Sequence, residues 1–456
     1  EISLGLVGSE MCIRDSSNTD LNRGDQALVW ESIRIIEDVF GKKNVAISLI
    51  ETGSDENSRC RQNRQTKKLG YDFIRPILKH PARIFSSKEK IHYSFITLFL
   101  WGFRASFDYV ITRMLLSQYV LLNKIGSVFL DNNEKKTMDL FKECDYVFVK
   151  GGGFLHSYGK ITDGYLFYFF LYHMRLAQKF NKKVYVLPNS FGPMKNSYAL
   201  KMSKKVLADC ALVTVRESLS YDFLTQQCKI QPLQSADLGF YLKPSEKSYE
   251  KYLSSMGVPV DTPQTKVLIT LRPYRFPNNR DPVQRYNSYI DSFAVFIDEL
   301  ISSGHHVTLF AHTLGPSAHE NDALAIQDVI CKVKNSANLV HISDESLTCK
   351  EVEKIYSYYD CLIGTRFHSV IFALNVGVPV IAITYGGNKG AGIMKYYDME
   401  DYTIPIELVT HEKLNLLYKQ ILKNHVFLKE KISSVKTQLL KERDFFVKTL
   451  LHFCER

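Results

Sequence analysis

Paired cysteines are the first thing this chain lacks. Its nine cysteines are scattered, with no C-x-x-C pair and no regular spacing, so neither a disulfide framework nor a zinc site is indicated. A reducing, cytoplasmic setting fits that usage best. Long apolar runs are missing too. The longest candidate, IHYSFITLFLWGF from Ile91 to Phe103, falls short of the ~20 residues a membrane span needs, and Arg104 ends it. No basic stretch followed by an apolar core stands at the amino terminus, so no signal peptide is read there. Acidic residues are in deficit: 48 Asp and Glu face 58 Lys and Arg, for a net charge of +10. Much of the excess sits between Arg59 and Lys90, where ten basic residues meet only Asp72 and Glu89. Such a block favours an anionic partner, whether nucleic acid, phosphorylated substrate or membrane surface. Nucleic acid is the weakest of these, because neither an aromatic platform nor a helix-turn-helix signature accompanies the block.

What is present reads as a folded enzyme-sized chain. With 456 residues it exceeds one ordinary core, which predicts two domains, and 45% hydrophobic residues exclude general disorder. The first sixteen residues, EISLGLVGSEMCIRDS, resemble translated adapter sequence and are set aside as a non-native leader (1–16). That choice leaves the first strand of the fold missing or replaced. From Asp145 onward one pattern recurs: a β-branched apolar run, a polar or glycine-rich turn, then a helix-like segment. The runs are DYVFVK before GGGFLHSYG, KKVYVL before PNSFGP, ALVTV before RESLSYDFL, KVLITLR before PYRFP, HHVTLF before AHTLGP, DCLIG before TRFHSVIFAL, and VPVIAIT before YGGNKG. Continuous apolar runs flanked by helices are the mark of parallel strands buried on both faces, hence a doubly wound α/β fold.

The series breaks at 242–266, a polar stretch with three prolines, which places a junction between an N-terminal domain (17–245) and a C-terminal one (246–410). Residues 411–456 lack Pro and Gly and read as C-terminal helices. The segment 57–141 reads as a basic and aromatic helical insert. Its apolar faces either pack on the core or dock on a membrane.

In open α/β sheets, ligands lie beyond the carboxyl ends of the strands, and four turns there carry candidate chemistry. In NTDLNRGDQAL, Asn22, Gly24 and Asp25 precede an amphipathic helix whose first N–H groups can face an anion; the plainer reading is a helix start capped by Asp25. In KGGGFLHSYGK, Gly151, Gly152 and Gly153 permit close backbone approach and an amide cradle, without the spacing of a nucleotide fingerprint. His156 follows, as a cleft residue or a structural one. Arg216 in TVRESLS can grip a carboxylate or phosphate bidentately, or pair with Glu217 or a neighbouring helix. In DCLIGTRFHSVIFALNVGVPVIAI the strand ends at Gly364 and a helix starts near His368. If the backbone stays extended from Arg366 to His368, both polar side chains face the ligand and Phe367 packs inward. A guanidinium and an imidazole at a helix start attract anions. Surrounding cations would lower the imidazole pKa and a bound anion would raise it toward a general acid.

The ordered set NRGDQAL, VKGGGFLH, SFGP, TVRES and GTRFHSVIFALNVGVPVIAI resembles the polysaccharide pyruvyl transferase family, over roughly residues 18–397 and poorly across 57–141. The resemblance implies two Rossmann-like domains facing across a cleft, the GT-B-like arrangement. It also implies transfer of a pyruvate unit from phosphoenolpyruvate to a sugar of a cell-surface glycan or its lipid-linked precursor, forming a ketal, with no cofactor and no metal. By the same likeness His368 is the acid that protonates the donor's methylene carbon. Arg366 and Arg216 hold the donor's carboxylate and phosphate, with Phe367 beside them, and His156 is a second donor-site or base residue. The setting would be cytoplasmic, with a peripheral contact on the inner membrane face as an option. Two alternatives stay open: a nucleotide-sugar-dependent GT-B glycosyltransferase, and a non-catalytic membrane-peripheral anion-binding protein.

Overall fold

A computed structural model describes residues 9–14, 19–53, 55–80, 95–157, 159–160, 162–336, 338–385 and 389–455. Most of the leader, residues 81–94 of the basic and apolar stretch, and residues 386–388 of the last glycine-rich turn lie outside the described residues. The chain divides into two compact units. One comprises Glu1–Asp20, Leu28–Leu238 and Glu442–Arg456; the other comprises Leu21–Ala27 and Gly239–Lys441.

The first unit is built on a parallel sheet of β1 (Ser9–Arg14), β2 (Val45–Ile50), β3 (Asp72–Ile74), β4 (Tyr146–Val149), β5 (Gly152–Ser157), β6 (Lys183–Met194), β7 (Leu212–Val215) and β8 (Leu233–Gln234). Its order is β3-β2-β1-β4-β6-β7-β8, with β5 paired to β6. Residues of the segment set aside as a leader thus form a strand, SEMCIR, between β2 and β4. The runs YVFV and LVTV form central strands because β-branched and aromatic residues fill both faces: Val147, Phe148 and Val215 are fully buried. Two expected turns are strand instead. GGFLHS is β5, and PNSFGP continues β6. A register shift between Val186 and Asn189 lets Pro188, which has no N–H to give, sit within a ladder.

The second unit carries β9 (Lys266–Thr270), β10 (His306–Phe310), β11 (Leu339–Ile342), β12 (Cys361–Gly364), β13 (Val380–Thr384) and β14 (Thr403–Pro405). All pair in parallel in the order β11-β10-β9-β12-β13-β14. This is the Rossmann strand order, reversing direction between β9 and β12. The helix Phe367–Asn375 follows β12 after only two residues and buries Ser369 through Asn375. Gly364 allows that tight turn: a Cβ there would lie 2.7 Å from the Leu362 and Val370 side chains. Gly377, at φ +79°, ends the turn before β13. The carboxyl-terminal region forms two helices, His411–Lys423 and His425–Glu455.

Buried histidines make the fold acid-sensitive. Burial, helped by Lys266, pushes His306 down to about 4, and burial with nearby cations holds His312 well below its ordinary value. An unfolded histidine titrates near ~6.5. Below that pH the unfolded chain binds protons that the native one refuses, so this stability is complete above about 6.5 and is lost as pH falls toward 4. Thermal melting is expected to drop through that window, and His306→Gln to flatten the decline; a wild-type melting temperature that does not change there contradicts the argument.

Candidate functional site

In the second sheet β9 and β12 lie side by side, and the strand order reverses between them. The space beyond their carboxyl ends is where an open sheet of this order holds ligands. The two ends are locked together. Thr365 donates its backbone N–H and its hydroxyl to the Thr270 carbonyl, at 3.2 and 2.9 Å. Ser369 and Thr270 share a hydroxyl hydrogen bond of 2.8 Å.

Arg366 emerges from this locked end as the extended residue before the helix, with φ −105° and ψ 128°. Its Nε and Nη2 donate to Asp322 Oδ1 at 2.8 and 2.6 Å. Asp322 is fully buried, and its other oxygen accepts the Thr313 N–H at 2.9 Å. Burial raises the Asp322 carboxyl while Arg366 works against that rise. Asp322 in turn raises Arg366 in spite of burial, so the guanidinium stays charged. A guanidinium has five N–H donors. Asp322 engages two, fixing the plane of the group and leaving donors for an anion.

The helix begins at Phe367, which corrects the expected extended run from Arg366 to His368. Phe367 and His368 lie in the first helical turn, both half-buried; Phe367 does not pack inward but meets His368 edge-on at 5.2 Å. Helix geometry prevails because the following residues, Ser369 to Asn375, gain their burial only as a helix.

Asn22, Gly24 and Asp25 belong to this same unit. Residues 21–23 run along the loop after β10: Leu314 N–H donates to the Leu21 carbonyl at 2.7 Å, Asn22 bridges Thr313, and Arg23 N–H reaches the His312 carbonyl at 3.4 Å. Arg23 also donates to the Asp344 carbonyl at 2.9 Å. The helix Arg23–Phe40 is capped by Asn22, not by Asp25. Asn22 Oδ1 accepts the N–H groups of Gly24 and Asp25 at 3.1 and 3.4 Å, and its amide donates to Asp25 at 2.7 Å. Gly24 is there because His368 lies against it. A Cβ at position 24 would stand 2.2 Å from the imidazole Nδ1 and 2.4 Å from Cγ, a clash that no rotation of a methyl relieves.

Three further groups at this end went unnoticed in the sequence. Arg272, just past β9, stacks its guanidinium 4.1 Å from the Tyr385 ring centre and 5.5 Å from that of Tyr274. Glu320 is held above the usual carboxylate range by burial, against the pull of Arg366 and Arg272. His312 shares a 3.0 Å hydrogen bond with Tyr356, and burial together with His368, Arg366 and Arg23 keeps it neutral. Their signal was available. KVLITLR and HHVTLF are strands of the same kind, and ligands of an open sheet lie beyond the carboxyl ends of these as well.

The other candidates belong to the first unit. Gly151 lies beyond β4, where β1 and β4 mark the reversal of the first sheet. A Cβ on it would come 2.9 Å from the Pro188 carbonyl, while Gly152, Gly153 and half-buried His156 form part of β5. Arg216 pairs with buried Asp237 and donates to Ser190 Oγ at 2.7 Å; Glu217 is more distant, at 3.9 Å. Lys150, directly before the glycines, is fully buried, and desolvation pulls it down to about 7 against the attraction of Asp237. Among the described residues no three His, Cys, Asp or Glu side chains converge as metal ligands.

The sequence profile of the polysaccharide pyruvyl transferase family matches residues 22–387. The chain belongs to that family. As a pyruvyl transferase it is similar to the amylovoran biosynthesis protein AmsJ of Erwinia amylovora, at 19% identity over 331 residues, which cover 71% of this chain and 77% of that protein. Its fold is that of the UDP-GlcNAc 2-epimerase of Neisseria meningitidis, with a TM-score of 0.54, 11% identity, and 98% of this chain and all (100%) of that one covered. Sucrose-phosphate synthase of Thermosynechococcus elongatus is similar as well, at a TM-score of 0.53 and 11% identity over 97% of this chain and 99% of that one. At such identities the likeness concerns the fold alone, the GT-B-like pair of Rossmann-like units with helices at the carboxyl terminus. Every candidate residue from Asn22 to His368 falls inside the family match.

Removing Asp322 would leave a buried guanidinium uncompensated. Asp322→Ala in this pyruvyl transferase is expected to cost about 3–5 kcal/mol of stability, read from denaturant unfolding; a loss below about 1 kcal/mol would show that Arg366 does not depend on the pair.

Proposed function

We propose that this pyruvyl transferase takes phosphoenolpyruvate as donor and forms a ketal on a sugar of a cell-surface glycan or its lipid-linked precursor. The observation that carries the reading is the seat of His368. Its imidazole lies on the Gly24 backbone, two residues from a guanidinium fixed by Asp322. Phosphoenolpyruvate offers a carboxylate and a phosphate, and Arg366 and Arg272 supply planar donors suited to both. His368 gives a proton to the methylene carbon, C3, which becomes the methyl group. The positive charge that develops at C2 is met by one sugar hydroxyl, which loses its proton as it adds. Phosphate then departs with the C–O bonding pair, and a second hydroxyl of the same sugar closes the ketal and releases its proton. Glu320, in the same unit as His368, is proposed as a proton acceptor for these hydroxyls, and His156 is proposed as a second donor-site or base residue. Arg216 and Gly151 to Gly153 are proposed to serve substrate binding in the first unit, as are Phe367, Asn22, Gly24 and Asp25 in the second. The reaction as written draws on no cofactor.

We place the reaction in the cytoplasm, with a peripheral membrane contact. Supporting this are the scattered cysteines, which include no C-x-x-C pair, and the basic block between Arg59 and Lys90.

Purified chain given phosphoenolpyruvate and a small panel of glycans is expected to release phosphate and to produce a ketal methyl signal by NMR. General acid catalysis contributes on the order of 10²- to 10⁴-fold, so His368→Ala should lower turnover by at least about 100-fold. Gly24→Ala, which pushes the imidazole off its seat, should lower turnover to a similar degree. Undiminished turnover in His368→Ala removes the assigned acid, and consumption of a sugar nucleotide in place of phosphoenolpyruvate overturns the reading.

A further inference from the structure

The helix Phe95–Leu115 is apolar on two opposite faces. One face packs into the first unit: Leu115 is fully buried, and buried Thr112 accepts a 2.9 Å hydrogen bond from the Tyr168 hydroxyl. The other carries Phe95, Phe99, Phe103 and Phe107 at every fourth position, which aligns them along one stripe. The first three are 82%, 65% and 70% exposed. The next helix, Val120–Val128, adds exposed Val120, Leu121 and Val128. Phe107 and Phe129 meet edge-on at 5.8 Å and join the two sets into one surface. Soluble chains rarely leave so much contiguous apolar area facing water unless something docks there.

The charge beside that surface identifies the occupant. A cavity of about 560 Å³ opens at the second helix, lined by Lys124, Lys135 and Lys179, with Asn123 and Ser127 between them and no carboxylate in its lining. Val120 and Val128 line it too, so the basic cavity and the apolar face are continuous. Lys179 donates to the Leu115 carbonyl at 2.5 Å, while Lys124 and Lys135 are exposed; exposed ammonium groups beside a phenylalanine stripe match the boundary of an anionic bilayer, where phosphates lie next to acyl chains. The helix is not apolar enough to span, which leaves insertion to headgroup depth. A second copy of the chain fits less well, because a two-fold pairing on this face brings the same lysines together.

We propose that the face formed by Phe95–Leu115 and Val120–Val128 docks on an anionic phospholipid bilayer, with Phe99 and Phe103 in the acyl boundary and Lys124 and Lys135 on the headgroup phosphates. The inference goes beyond the catalytic reading and does not depend on it. If the acceptor is lipid-linked, docking brings the enzyme to the plane in which that acceptor diffuses.

The test is flotation of the full chain with phosphatidylcholine vesicles, with and without phosphatidylglycerol. The chain is expected to float with the anionic vesicles, less so as salt is raised, and poorly with the neutral ones. Each lysine near such a surface is worth on the order of fivefold in binding, so Lys124→Glu with Lys135→Glu should cost at least about 25-fold. Phe99→Ser with Phe103→Ser should abolish flotation while melting temperature and turnover on a soluble acceptor stay at wild-type values. The proposal fails if the wild type floats with neither vesicle, or if flotation survives both double variants. It also fails if the wild type ignores vesicles and Phe99→Ser with Phe103→Ser converts a dimer to a monomer by light scattering. Intact flotation in a preparation that forms no ketal upholds docking and counts against the catalytic reading alone.

Discussion

The second unit is organised by one buried ion pair. Arg366 holds Asp322, Asp322 accepts the Thr313 N–H, Thr313 bridges Asn22, and the turn begun by Asn22 lays Gly24 against His368, two residues after Arg366. The contacts therefore close into a ring. Each member fixes the next: the carboxylate orients the guanidinium, the loop after β10 positions the segment 21–24, and that segment fixes the imidazole. Burying two charges is costly unless their remaining hydrogen-bonding groups find partners. Here both Asp322 oxygens are occupied, one by Arg366 and the other by Thr313. A ring of this kind keeps a guanidinium and an imidazole in fixed relation, the preorganisation that the proposed catalysis requires.

The first unit uses the same physics with different residues. Asp237 pairs with Arg216 and attracts Lys150, all buried around the strand ends of a parallel sheet. Burial lowers the Lys150 ammonium to about 7, and Asp237 opposes that fall. In both units a buried aspartate lies beside a buried cation and favours its charged form against the cost of burial.

Much of this fold was legible in the sequence, for a physical reason. Parallel strands covered on both faces must be apolar throughout, so DYVFVK, ALVTV, KVLITLR, HHVTLF, DCLIG and VPVIAIT stand out. The short edge strands β3, β8 and β14, of three, two and three residues, carry too little pattern to register. PNSFGP and GGFLHS were misjudged because proline and glycine weigh toward turns, whereas here a register shift absorbs the proline. Arg366 and His368 were visible as charged and polar residues in an apolar stretch. Their supports were not: Asp322 lies 44 positions before Arg366, and Gly24 lies 344 positions before His368, contacts that no local periodicity encodes. The insert shows the same division. Its apolar character could be read directly, but whether that surface was buried or exposed depended on which face met the core.

In the proposed reaction the imidazole of this ring delivers a solvent-derived proton to the donor's methylene carbon. Running the reaction in D2O and examining the ketal methyl by mass spectrometry tests it most directly. One deuterium is expected in each new methyl group, with both original methylene hydrogens retained. A ketal formed in D2O whose methyl carries no deuterium would contradict it.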